Sequence, residues 1–86
     1  MPEISRFFGI AIRMYYNDHA PPHVHAEYQG EKALLDFRGN IVRGKIGSRT
    51  AVRLVRKWID ARETELEDDW KLARAGRELR PIEPLK

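Results

Sequence analysis

The period of apolar and polar positions changes partway along this chain, from alternation in the first half to recurrence every three or four residues in the second. Phe7 to Tyr16 is rich in β-branched and aromatic residues and ends at a polar, proline-containing break, which predicts a first strand. Pro21-Pro22 fix φ and remove two amide donors, so the connection through His19 is a stiff extended loop and pairing resumes at about His23. A second strand then runs from His23 to about Gln29. Gly30-Glu31 predicts a tight turn into a third strand, Lys32 to Arg38, and Gly39-Asn40 a turn into a fourth, Ile41 to Ile46.

Residues two apart on a strand share a face. Ile10, Ile12, Met14, Val24, Ala26, Tyr28, Ala33, Leu35, Phe37, Val42 and Ile46 therefore form one apolar layer. Arg13, Tyr15, His23, His25, Glu27, Lys32, Asp36, Arg38, Arg43 and Lys45 fall on the other side. A two-residue loop at Gly30-Glu31 sets His25 opposite Asp36 and His23 opposite Arg38, and the next turn sets Arg43 across from Asp36.

Ser48 is a good N-cap, and no Gly or Pro interrupts the chain from Arg49 until Gly76. Ala51, Val55, Trp58, Ile59, Leu66, Trp70 and Ala73 recur at helical spacing, giving a stripe that covers the apolar sheet face. The stripe turns polar near Arg62 to Thr64, where the helix has room for a break with Thr64 as a second cap. The proline-containing tail, Arg77 to Lys86, is extended, with Leu79, Ile82 and Leu85 available to dock on the core. The expected fold is α+β: a four-stranded antiparallel meander packed against one long C-terminal helix, broken or not, in a single domain over residues 1–86.

At 86 residues such a domain has no room for a large substrate cavity, and with no cysteine it has neither disulfides nor thiolate metal ligands. No long apolar run marks a signal peptide or membrane span, so a cytoplasmic protein without a membrane partner is expected. The net charge of +3 is unevenly placed: residues 1–57 carry ten Lys/Arg against five Asp/Glu, and residues 58–86 carry six against eight. The basic first part, and Arg49, Arg53, Arg56 and Lys57 at the start of the helix, where the dipole disfavours cations, invite an anionic partner such as RNA. The acidic run Glu63 to Asp69 reads as a solvated helix face.

All three histidines fall within Asn17-Asp18-His19-Ala20-Pro21-Pro22-His23-Val24-His25-Ala26-Glu27-Tyr28. Histidine is the one side chain whose unperturbed pKa lies near neutrality, so any chemistry is expected here. In an acid–base arrangement, His23 and His25 act as proton-transfer groups and Asp36 orients His25. Arg13, Arg38 and Arg43 then bind phosphate, the parts of a metal-independent ribonuclease that needs no cofactor. In a metal arrangement, His23, His25 and Glu27 project from one strand face toward a divalent ion such as Zn, with His19 or Asp18 available from the loop. In a third, structural arrangement the histidines bond their neighbours on an open sheet face.

Pro2 to Ile10, Met14-Tyr15-Tyr16-Asn17-Asp18-His19, Pro21 to Tyr28, Trp70 to Gly76 and Ile82 to Leu85 together resemble the bacterial domain of unknown function family 4160. The resemblance implies a prokaryotic cytoplasmic protein with a small protein partner encoded by a neighbouring gene, in a toxin–antitoxin arrangement. It implies no catalytic residue. The expected function is a toxin–antitoxin-type component acting on nucleic acid by metal-independent RNA cleavage. A non-catalytic module that binds a metal or a protein partner through the same histidines is the alternative, and whether the chain is an enzyme stays open.

Overall fold

The computed structural model describes residues 2–86. It is α+β, with an antiparallel sheet of five strands in the order β1-β2-β3-β4-β5 and two helices. The strands are β1 (Glu3–Phe7), β2 (Ile10–Arg13), β3 (His23–Tyr28), β4 (Glu31–Asp36) and β5 (Ile41–Gly44), and the helices are α1 (Arg49–Ala61) and α2 (Glu63–Arg74).

The meander has one strand more than expected because the apolar run from Phe7 to Tyr16 contains a hairpin turn. Phe8 and Gly9 both have positive φ, 50° and 78°, so the chain reverses there and Phe7 faces Ile10. Positive φ at both central residues marks the type I′ turn that matches the twist of a β-hairpin. The same geometry recurs at Gln29 and Gly30, with φ of 49° and 82°, one residue earlier than the expected Gly30-Glu31 turn. Tyr28 consequently pairs with Glu31, Ala26 with Ala33, His25 with Leu34 and His23 with Asp36. The partner of each β3 residue thus moves by two positions from the expected register. Because the side-chain period is two, this shift leaves the parity of β3 against β4 unchanged while the His25–Asp36 and His23–Arg38 pairings are lost.

Pairing of β4 with β5 is also displaced. A bulge between Leu34 and Leu35 sets Arg43 opposite Leu34 rather than Asp36. The strand ends at Gly44, short of Ile46, and all four of its residues are exposed. Val42, expected in the apolar layer, is 54% exposed, because the bulge and short length leave β5 as an edge outside the cover of the helices. Gly44 has φ of 81°, and a Cβ there would stand 2.4 Å from the carbonyl oxygen of Lys32, so only glycine fits.

Ser48 caps α1, its hydroxyl accepting from the Ala51 amide at 3.1 Å. The helical segment is two helices, as its polar stretch near Arg62 allowed. Arg62 (φ −120°, ψ 27°) is the junction, and Thr64 lies within α2 rather than capping it. All seven stripe residues are buried, packed with Ile4, Phe7, Ile10, Ile12, Met14, Val24, Leu35 and Ile46 in one core. The tail docks as expected: Ile82 is buried, its amide donates to the Ile4 carbonyl at 2.7 Å, and the Trp58 indole donates to the Glu83 carbonyl at 2.8 Å. Asp69 departs from the solvated acidic face. It is 1% exposed, and one carboxylate oxygen accepts from the Arg80 amide at 3.0 Å. No helix among the described residues is long and apolar enough to cross a membrane.

Candidate functional site

The loop from β2 to β3 and the first half of β3 bring three of the chain's ionisable groups to one point. Asn17 takes positive φ (55°), a conformation asparagine tolerates, and Asp18 follows it in the loop. One Asp18 oxygen, Oδ2, lies 2.9 Å from Nε2 of His23 and 3.0 Å from Nε2 of His25. The two imidazoles share a strand face two residues apart, with ring centroids 5.1 Å apart. Asp18, His23 and His25 each offer a ligand atom, and these atoms lie within 4.8 Å of one another.

His23 is the anchored member. Its side chain is 5% exposed and its ring centroid stands 5.4 Å from that of Trp70, which also packs edge-on against Phe37. Its Nδ1 lies 2.8 Å from the carbonyl oxygen of Pro21. A carbonyl only accepts, so Nδ1 carries the proton and Nε2 is the nitrogen turned toward Asp18. Both ring nitrogens of His23 therefore face oxygen acceptors. That arrangement requires a proton on each nitrogen, or a cation in place of the second proton.

His25 is one-quarter exposed and meets the edge of the Tyr15 ring at a centroid distance of 4.2 Å. Burial lowers its pKa, and the neighbouring His23 charge lowers it further, against the opposing pull of Asp18. Burial alone would raise the Asp18 carboxyl, but the bonds from His25, His19 and His23 and the His23 charge outweigh it and hold the group at about 2. Asp18 is thus a carboxylate and His25 favours its neutral form.

The other residues expected at the site do not join the Asp18–His23–His25 cluster. Asp36 does not orient His25. Its Oδ1 accepts from the amides of Arg38 and Asn40, both at 2.9 Å, closing the turn before β5. Those bonds more than offset partial burial and lower its pKa. Glu27 is taken by Arg13, 2.6 Å away, so it is no ligand in this arrangement and Arg13 is no free phosphate binder. Arg13 also lies 3.9 Å from Glu3. Arg38 lines a groove with Arg56, Asp60 and Glu63 beside the helices, and Arg43 lies on the edge strand, so the three arginines do not converge. His19 is 85% exposed, with Nδ1 3.1 Å from the second Asp18 oxygen, at the margin of the cluster.

The pivot is therefore Asp18, which the sequence offered only as an available loop residue. Its role depends on how the loop folds back over β3, and neither strand parity nor helical spacing encodes that. Beside His25 on the open sheet face lies a depression of about 280 Å³ lined by Arg13, Tyr15, His25, Glu27, Lys32 and Leu34.

No curated protein and no solved structure matches this chain. The family model described as Domain of unknown function (DUF4160) matches residues 9–71, a span that runs from the first hairpin turn through β5 and α1 into α2 and includes Asp18, His23 and His25. With most of its length so matched, the chain belongs to the DUF4160 family.

Proposed function

We propose that this protein is a metal-binding module, with Asp18, His23 and His25 as ligands to one divalent transition ion of the zinc or iron(II) kind. The observation that carries the reading is the pair of acceptors around His23. Its Nδ1 is bonded to a backbone carbonyl while its Nε2 points, together with His25 Nε2, at a single carboxylate oxygen. A ligating histidine commonly donates its second ring N–H to a carbonyl or carboxylate, which fixes the tautomer and aims the other nitrogen at the metal. Two imidazoles and one carboxylate form a recurrent set for such ions, and three protein ligands leave zinc a fourth position for water or another ligand. The metal-independent ribonuclease arrangement has less support, since Asp36 closes a turn and Arg13 is paired with Glu27.

Equilibrium dialysis against zinc, followed by metal analysis, tests the reading. One ion per chain is expected for wild type. Asp18→Ala, His23→Ala and His25→Ala should weaken binding by more than the roughly 10- to 100-fold that follows loss of a supporting partner. Glu27→Gln should bind as wild type does. Stoichiometric zinc on His23→Ala, or none on wild type, would defeat the proposal.

A further inference from the structure

We infer that the metal at Asp18, His23 and His25 keeps an open coordination position, and that this position takes a terminal phosphoryl group held also by Lys32. The inference rests on the metal reading above and adds the class of ligand. The cluster is unevenly shielded. The His23 side chain is 5% exposed and Asp18 16%, whereas His25 is 25% exposed and is the ligand that also lines the depression on the open sheet face. A ligand reaching the ion from solvent therefore comes past His25, through that depression.

The charges in the depression select an anion. Glu27, its one carboxylate, is neutralised by Arg13 at 2.6 Å. Lys32 stands directly opposite Glu27 in the β3–β4 register yet forms no ion pair among the described residues. A divalent ion on one carboxylate and two neutral imidazoles leaves a further single positive charge at the wall. Two uncompensated positive charges suit a phosphate dianion, with one oxygen on the metal and another accepting from the ammonium, better than a carboxylate, which brings only one charge. The volume, about 280 Å³, lies at the small end of ligand sites and suits a phosphate with its first attached group. Tyr15 lines the same depression, its ring packed against His25.

The test uses the whole chain loaded with cobalt(II), whose visible absorption reports its coordination, titrated separately with inorganic phosphate, a nucleoside 5′-monophosphate and acetate. Phosphate and the monophosphate should each change the spectrum saturably, and acetate should do so only far more weakly. The exposed variant Lys32→Ala should weaken phosphate binding roughly tenfold while leaving cobalt affinity within about twofold. The inference fails if cobalt binds but phosphate leaves the spectrum unchanged. It fails likewise if acetate matches phosphate, or if Lys32→Ala has no effect. A response to phosphate that emerges only in His19→Ala would show that His19 closes the fourth position, which also overturns it. Absence of cobalt binding to wild type would instead overturn the metal reading itself, and this inference with it.

Discussion

Trp58 joins three parts of the molecule, and its removal should show how closely they depend on one another. The residue is fully buried on α1, its ring lies 5.4 Å from that of Phe7 on β1, and its indole N–H donates to the Glu83 carbonyl in the tail at 2.8 Å. Trp58→Ala empties the space between helix and sheet and should cost about 3 to 5 kcal/mol. The stranded Glu83 carbonyl adds about 1 kcal/mol more. Small domains hold about 5 to 15 kcal/mol in total, so this variant should be largely unfolded or melt far below wild type. Trp58→Phe keeps most of the ring but loses the N–H, so its cost should be about 1 to 3 kcal/mol, including the smaller ring volume. Urea unfolding of the three proteins measures both losses. Amide exchange adds a local readout, because Ile82, whose amide donates to the Ile4 carbonyl at 2.7 Å, should exchange faster in Trp58→Phe once the neighbouring anchor is gone. A Trp58→Ala variant within about 1 kcal/mol of wild type, a shift of roughly 4 to 8 °C in melting temperature, would refute the packing described above.

Two further substitutions probe backbone and charge. Gly44→Ala and Gly30→Ala both place a side chain at positive φ, but the new Cβ at residue 44 meets the Lys32 carbonyl oxygen at 2.4 Å whereas that at residue 30 meets nothing within 4 Å. Gly30→Ala should therefore cost only the left-handed penalty of about 1 to 2 kcal/mol and Gly44→Ala clearly more, and equal costs in urea unfolding would contradict the β4–β5 geometry. Burial raises the pKa of Asp69, against the Arg80 amide and charge, which lower it. A carboxyl whose folded pKa is raised stabilises the fold most at low pH, and that contribution is lost as pH climbs through the folded value. Asp69→Asn should thus gain stability relative to wild type as pH rises above about 4 in thermal melts, and a difference independent of pH would be the opposing result.

Most of the scaffold was legible because periodicity survives small errors of register. The stripe from Ala51 to Ala73 is buried in full, Ser48 caps the helix, and the open and apolar sheet faces are largely as alternation predicts, the exceptions being Val42, which is exposed, and His23, which is expected on the open face and is instead buried against Trp70. The expected first strand divides into two because Phe8-Gly9 turns the chain inside an apolar run, where the turn signal is masked by strong strand formers on both sides. The second turn fell one residue early because Gln29, no usual turn residue, takes the first left-handed position. That two-position slip leaves the parity of β3 unchanged yet moves each cross-strand partner, and so Asp36 lies opposite His23 rather than His25. His23 and His25 were legible as a pair from their i, i+2 spacing. Their partners were not: Asp18 and the Pro21 carbonyl belong to a loop whose path depends on tertiary packing.

Nitrogen-15 NMR of the histidine rings reads directly what occupies the second acceptor-facing nitrogen of His23, proton or metal. Long-range proton–nitrogen correlation spectra of the whole chain, recorded near neutral pH with zinc withheld and then added to one equivalent, distinguish a protonated, a free and a metal-bound ring nitrogen. With zinc, Nδ1 of His23 should stay protonated on the Pro21 carbonyl, while Nε2 of both His23 and His25 should move to a metal-bound shift, complete at one equivalent. Spectra unchanged by zinc, with His23 held as an imidazolium protonated on both nitrogens, would contradict the metal reading and leave Asp18, His23 and His25 as a structural ion-pair cluster.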